Sequence, residues 1–388
     1  MSDAADAADR EGDTARRGAD SADREVDTAG RAADAGDREA DVDRSANVDR
    51  NADADRNADD GGTDRAAEPT DDGDGGPAQV DSPEYHHVNH TAAQTCGWTA
   101  NALRGEGKCY KNIYYGIESH RCIQMTPVVR CNERCVFCWR DHSGHAYELD
   151  GVEWDDPEAV VDASIRLQKK LLSGFGGNDE VPREVFEESM APRHVAISLD
   201  GEPTLYPYLP ELIEAFHDRD ITTFLVSNGT RPDVIRACEP TQLYVSVDAP
   251  ERHTFDQVVR AMEDDAWEKL LETMDVLAEK EETRTVLRTT LIEGENTHSP
   301  DWYAGLFQRA DPDFIELKAY MHVGHSRGRL DRSAMPDHER VVEFAQAIQD
   351  HMPEFTELKD VPASRVALLS KTDDTWVPKL KKGSEFWA

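Results

Sequence analysis

From about Tyr85 onward the chain alternates between two hydrophobic periods. Short β-rich runs (VAISLD, 195–200; TTFLVSN, 222–228; QLYVSVDA, 242–249; TRTVLRTTL, 283–291; FIELKAYM, 314–321) are separated by amphipathic stretches of helical period near 157–173, 208–218, 254–280, 300–310 and 336–351. Strand and helix in alternation predict repeated βαβ units around a parallel sheet, an α/β fold. Roughly 300 residues suffice for one sizeable core. In such sheets chemistry gathers at the C-terminal ends of the strands. That is where Asp200-Gly201-Glu202-Pro203, Ser227-Asn228-Gly229 and Ser246-Val247-Asp248 fall. Each alone reads as a β-to-α turn with a helix-capping Ser, Asn or Asp. Their placement on successive strands points to a ligand.

Residues 1–80 break the pattern. They hold 24 acids and 10 Arg, with no Lys, Leu, Ile or aromatic residue. Such a segment buries too little apolar surface to offset chain entropy, so a disordered acidic tail is expected. Its D-R-x-A-D units repeat loosely without the apolar period of a solenoid.

The whole chain has 388 residues and a net charge of −36. No run approaches the roughly 18 apolar residues of a membrane span, and the N-terminus lacks the pattern of a signal peptide, so a cytoplasmic protein without a membrane partner is expected. The balance also excludes a basic nucleic-acid packaging protein. Dense carboxylate with only 12 Lys among 43 basic residues is the composition of a halophile's cytosol. At ~1 M salt the screening length is about 3 Å and self-repulsion is damped.

The cysteines narrow the chemistry. Of seven, Cys96, Cys109, Cys122, Cys131, Cys135 and Cys138 fall within 43 residues, and Cys238 stands apart as a buried apolar residue. Clustered cysteines in a cytosolic enzyme favour metal over disulfides. Cys131, Cys135 and Cys138 form C-x3-C-x2-C. Three thiolates on a tight loop hold three corners of a 4Fe-4S cluster and leave one iron open to a ligand. A zinc knuckle is the alternative and would need a fourth ligand such as His142 or His145. His86, His87, His90, His322 and His325 read as pocket or surface histidines.

The C-x3-C-x2-C triplet with its strand-end motifs resembles the radical S-adenosylmethionine (SAM) superfamily. A more specific resemblance is carried by Cys96-Gly-Trp, Cys109-Tyr-Lys111, the YYGIESHRC run ending at Cys122, CWRD (138–141), SLDGEPTLYP (198–207), LVSNGT (225–230), LYVSVDAP (243–250), LRTTLIEGEN (287–296) and IELKAYMHVGHSRGRL (315–330). Together these closely resemble the archaeal tRNA 4-demethylwyosine synthases over essentially everything after residue 85.

The resemblance implies an incomplete (β/α)6 TIM-like barrel over 127–388, preceded at 85–126 by an extension that carries a second 4Fe-4S cluster on Cys96, Cys109 and Cys122. It implies SAM contacts at Gly201, Glu202, Asn228, Ser246 and Asp248, although Asp200 stands where the superfamily has a first glycine. The implied activity is a lyase-type reaction. N1-methylguanosine beside the anticodon of phenylalanine tRNA condenses with two carbons of pyruvate to give tricyclic 4-demethylwyosine, driven by a 5′-deoxyadenosyl radical. Lys111 is the implied Schiff-base amine on its C-x-K placement; the residues alone favour a surface Lys beside an equally available Lys108. Eukaryotic relatives have a flavodoxin-like domain that residues 1–80 cannot form, so a separate ferredoxin or flavodoxin is the expected reductant of a monomeric enzyme. Arg327, Arg329, Lys379, Lys381 and Lys382 are expected tRNA contacts in a C-terminal region, with stacking carrying more of the recognition than charge. Two other readings stay open: a radical SAM enzyme of another specificity, and a non-catalytic metal-binding protein.

Overall fold

The computed structural model describes residues 86–142 and 149–377. The acidic tail expected over 1–80, His145, and Lys379, Lys381 and Lys382 lie outside the described residues.

A ten-stranded sheet organises the chain. The hairpin β1 (His86–Val88) and β2 (Thr91–Gln94) leads antiparallel onto β3 (Cys122–Thr126). From there β4 (His194–Ile197), β5 (Thr222–Ser227), β6 (Gln242–Ser246), β7 (Arg284–Leu291) and β8 (Phe314–Ala319) come in sequence order, each parallel to the last. The far side is closed off by β9 (Glu357–Val361) and β10 (Val366–Ser370), with β10 antiparallel to β8 and β9 at the edge. Six parallel strands in an open sheet are the incomplete barrel expected. The antiparallel strands on both flanks were not legible in the hydrophobic pattern.

The helices are α1 (Gly97–Arg104), α2 (Tyr110–Tyr115), α3 (Pro157–Leu172), α4 (Arg183–Ser189), α5 (Leu209–His217), α6 (Pro232–Ala237), α7 (Arg252–Val258), α8 (Ala266–Ala278), α9 (Pro300–Ala310) and α10 (His338–Gln349). Local sequence explains their limits. Asp156 caps α3 by accepting from the Ala159 amide, Pro157 occupies its first turn, and Lys169 and Lys170 lie in its last turn. Helix α3 turns Val160, Val161, Ala163, Ser164 and Leu167 inward. The helix expected over 254–280 is instead two, because Arg260 adopts a left-handed φ of 53°. The turn so formed brings Ala261 against Glu133 as an antiparallel bridge.

Two apolar clusters sandwich the sheet. The larger joins β-strand residues such as Val195, Leu225, Leu243, Leu287 and Ile315 to α5, α8, α9 and α10. The smaller, on the opposite face, packs Tyr110, Tyr114 and Tyr115 of α2 against Phe224, Tyr244, Val286, Phe314, Val366 and Leu368. The Tyr114 hydroxyl donates to the Val366 carbonyl oxygen at 3.0 Å. Residues 86–126 therefore share one sheet and one core with the parallel strands β4 to β8, and Cys238 is fully buried as expected.

Candidate active site

The loop after β3 carries Cys131, Cys135 and Cys138, all half-buried. Neighbouring backbone pins it on two sides. The Val136 amide donates to Val258 (2.8 Å), and the Met262 amide donates to Asn132 (2.9 Å). Opposite, Arg329 donates to the carbonyl oxygens of Val136 (3.1 Å), Cys138 and Arg140 (3.2 Å), while the His325 amide donates to Trp139 (2.9 Å). Arg329, expected at the tRNA, is thus tied into the cluster loop; Arg327 two residues earlier is exposed. The cysteines line a cavity of about 180 Å³ with Glu133, Trp139, Asp200 and Gly201.

Gly201 explains why the β4 turn needs glycine. Its φ is +66°, and a Cβ would lie 2.5 Å from the Arg130 carbonyl oxygen and closer still to that of Val128. Asp200 departs from the superfamily pattern without disturbing this turn. Its carboxylate accepts from the Gly201 amide at 2.7 Å and faces the Arg140 guanidinium at 3.3 Å.

Beside the loop, the ends of β4, β5 and β6 form a carboxylate-rich wall. Glu202 is 2% exposed, and its Oε1 accepts from the Thr204 amide (3.1 Å), the Thr204 hydroxyl (2.6 Å) and the Ser227 hydroxyl (2.8 Å). Oε2 takes only the Asn228 amide, at 2.7 Å. Asn228 also donates from Nδ2 to Asn132 of the cluster loop at 2.8 Å. Asp248 accepts from the Thr290 amide at 2.6 Å, and burial pushes its carboxyl up to about 7. Ser246 is half-buried at the end of β6.

Glu133, which sequence reasoning passed over, lies between the cysteines and accepts from the Cys135 thiol at 3.4 Å. Burial, then the Glu202 charge, raises it well above the usual carboxylate range, with a smaller contribution from Asp248. Of the three buried carboxyls, Glu133 lines the cavity while Glu202 and Asp248 stand at the strand ends; carboxylates suit a cationic ligand such as the sulfonium or ammonium of SAM. Burial, then the Glu133 charge, raises the Cys131 and Cys135 thiols well above their ordinary value. Among the described residues, neither cysteine trio brings its sulfurs within the 4.8 Å that ligands of a single ion would share.

The second trio meets on the other side of the sheet. Cys96 and Cys109 immediately precede α1 and α2, and Cys122 opens β3. Helix α2 lays Lys111 on the sheet, 8% exposed, with Nζ 5.0 Å from the Tyr244 ring centre and 5.3 Å from that of Phe224. Lys108 is exposed instead. Burial, then Arg288, lowers the Lys111 amine below its ordinary value. Burial also pushes the Cys122 thiol up to about 12.

Strand register adds residues that no motif announced. Arg288 of β7 and Glu316 of β8 are Cα partners, their side chains pair at 3.0 Å, and Arg288 also donates to the Tyr110 hydroxyl at 2.8 Å. Tyr115 donates to the other Glu316 oxygen at 2.9 Å. Lys318 lies on the same face of β8, and burial, then Arg288, lowers it to about 8. The signal for these residues was a charge inside an otherwise apolar strand.

This fold and the first cysteine site define a radical SAM enzyme: the radical SAM superfamily profile matches residues 125–303. A second profile, for wyosine base formation, matches residues 309–371. The chain is 44% identical over 290 residues to the S-adenosyl-L-methionine-dependent tRNA 4-demethylwyosine synthase of Pyrococcus abyssi, covering 73% of this chain and 84% of that one. Identity to the Methanocaldococcus jannaschii synthase is 42% over 302 residues, covering 76% and 96%. Among solved structures, TYW1 with a lysine-pyruvate adduct bound superposes with a TM-score of 0.68 at 42% identity, covering 74% of this chain and 93% of that one. The chain belongs to the S-adenosyl-L-methionine-dependent tRNA 4-demethylwyosine synthase family.

Proposed function

We propose that this enzyme condenses N1-methylguanosine, next to the anticodon of phenylalanine tRNA, with carbons of pyruvate to form 4-demethylwyosine. The single observation that carries the pyruvate half is Lys111: a buried amine with a lowered pKa, against the second cysteine trio, in a chain similar to a TYW1 whose lysine holds a pyruvate adduct.

Cys131, Cys135 and Cys138 hold a 4Fe-4S cluster, and Gly201, Glu202, Asn228, Ser246 and Asp248 receive SAM. When bound, the cluster and SAM supply the radical that takes hydrogen from the N1-methyl group. Glu202 keeps one lone pair of Oε2 for the SAM ammonium, because its other oxygen is already saturated. Cys96, Cys109 and Cys122 would hold a second cluster, which would offer pyruvate a metal to bind. Lys111 attacks the pyruvate carbonyl carbon as a neutral amine, and water leaves with the carbonyl oxygen. Arg327, on the turn beside the cluster loop, contacts tRNA with Lys379, Lys381 and Lys382, while Arg329 holds the cluster loop. A separate ferredoxin or flavodoxin provides the electron, and the enzyme works as a cytoplasmic monomer; no described helix is long and apolar enough to cross a membrane.

The test is anaerobic. The protein is reconstituted in high salt with dithionite, SAM, labelled pyruvate and N1-methylguanosine-containing phenylalanine tRNA, and nucleosides are analysed by mass spectrometry. A tricyclic base carrying the label is expected. Formation of 5′-deoxyadenosine with an unmodified base would overturn the substrate assignment and leave the radical SAM chemistry standing.

A further inference from the structure

A second cavity, of about 380 Å³, lies between α7 and α8 and shares a wall with the cysteine cavity. Ala261 lines the one, Glu133 lines the other, and these two residues are bridge partners. The wall is fixed by backbone: the Arg134 amide donates to the Arg260 carbonyl oxygen at 3.2 Å, and the Met262 amide donates to that of Asn132 at 2.9 Å. It is built from the loop after β3 and the connection after β6, at the C-terminal ends of the parallel strands, the end of such a sheet where substrates bind.

The lining of this second cavity is unlike the core. Phe255 and Trp267 have ring centres 5.3 Å apart; Phe255 is buried and Trp267 only half-buried. Most of the charges around them are already spoken for. Arg252 donates to Glu268 and to the Asp264 carbonyl oxygen (2.9 Å), with Asp256 at 3.9 Å, and Glu263 is held by Arg231 (2.6 Å) and Lys269 (2.7 Å). Arg260 and Asp264 differ: both line the cavity, both are exposed, and neither side chain has an ion pair among the described residues. The Arg260 Nε donates to the Gln257 carbonyl oxygen at 3.1 Å, which steadies the side chain and leaves its two Nη groups to a partner. An aromatic ring, a guanidinium and a carboxylate acceptor side by side match the three parts of a nucleotide, which are the base face, the phosphate and the N–H groups on the base edge.

We propose that this cavity receives the nucleotide next to the reacting N1-methylguanosine, with its base against Trp267, its phosphate on Arg260 and a base N–H donating to Asp264. The inference rests on the reading above that tRNA is the substrate, and deepens it by giving the neighbouring nucleotide a site of its own. Bridge partners have Cα atoms about 5 Å apart, so the wall is thin enough for adjacent nucleotides of one loop to occupy the two cavities. Trp267 and Arg260 touch no reacting atom; they are positioning residues.

The experiment measures, by fluorescence anisotropy in high salt, how the anaerobically reconstituted full chain binds a labelled anticodon stem-loop carrying N1-methylguanosine. An abasic sugar is placed in turn at each of the two positions flanking the modified base. One of these two RNAs should bind the wild type about tenfold more weakly, the loss of one stack on an aromatic ring. Trp267→Leu should weaken the intact RNA by the same factor and lose nothing further with that abasic RNA, and Trp267→Phe should retain most of the affinity. Arg260→Gln should weaken every RNA alike and lower the slope of log affinity against log salt by about 0.7, one single-strand phosphate contact. Arg166→Gln, at an exposed position on α3, should change neither. None of these side chains lines the cysteine cavity, so each variant should still cleave SAM reductively in the absence of RNA, which separates a lost contact from a lost fold. If neither abasic RNA weakens wild-type binding, or if Trp267→Leu loses as much as the wild type does, the proposal is overturned. If the wild type binds the modified stem-loop no better than an unrelated hairpin, the tRNA reading itself falls.

Discussion

Arg288 and Glu316 sit directly opposite each other on β7 and β8, and the guanidinium holds a carboxylate that has no contact with solvent. Breaking such a pair from one side strands a buried charge, at a cost of about 3–5 kcal/mol. Arg288→Met should therefore lower the denaturation midpoint sharply in high salt. The double substitution Arg288→Met with Glu316→Gln should recover part of the loss. An unchanged midpoint in the single variant would show that the pair contributes nothing.

The two cysteine trios make separable predictions. Cys131→Ala should abolish formation of 5′-deoxyadenosine, because SAM loses its cluster. Cys109→Ala should preserve reductive SAM cleavage and lose the tricyclic product. Each should reduce bound iron by about half if each trio carries its own 4Fe-4S cluster. Lys111→Ala should keep all the iron and still give no product. Full product from Cys109→Ala would remove the second trio from the reaction.

Gly201 is constrained twice, by its φ of +66° and by the carbonyl oxygens of Val128 and Arg130. Gly294 has a φ of +83° with open space around its would-be Cβ. Both alanine variants incur about 1–2 kcal/mol of backbone strain. Only Gly201→Ala should also displace the cluster loop, read as weakened SAM binding by equilibrium dialysis. Equal SAM affinity in the two variants would contradict the close approach assigned to Gly201.

His194 links the α2 region to the parallel sheet. Its Nε2 accepts from the Glu118 amide at 3.1 Å and its Nδ1 donates to the Thr222 hydroxyl at 2.6 Å. This geometry needs the neutral ring, and burial, followed by Arg121 and Arg193, lowers its pKa to about 3. The native state therefore binds fewer protons than the unfolded chain between pH 6.5 and 3. The contribution of His194 is complete above pH 6.5 and declines as pH falls, by up to about 1.4 kcal/mol per unit. His194→Gln should flatten the stability profile between about pH 6.5 and 5 relative to the wild type. Parallel profiles would mean that the ring titrates in the fold as it does in the unfolded chain.

Much of the molecule was legible in the sequence because it is written locally. The strands from 195 to 319, the cysteine triplet and the strand-end turns depend on periodicity and short spacing, and they stand where expected within a residue or two at most boundaries. Helix 254–280 failed because its apolar period runs through a break imposed from outside. The turn at Arg260 exists to bring Ala261 to Glu133, which lies far back in the chain. The flanking strands β9 and β10 were missed for a related reason: their pairing with β8 supplies what their short patterns lack.

By itself the sequence determined the chemistry on offer: two trios of thiols, an amine at Lys111 and acids at the strand ends. Tertiary structure decided which of these act together. Lys111 differs from Lys108 only once α2 is laid on the sheet, where loss of water changes the amine. Glu133, Arg288, Glu316 and Lys318 gained meaning only from strand register and loop docking, since the strength of a charge depends on its distance from other charges and from water, and neither distance is encoded in spacing along the chain.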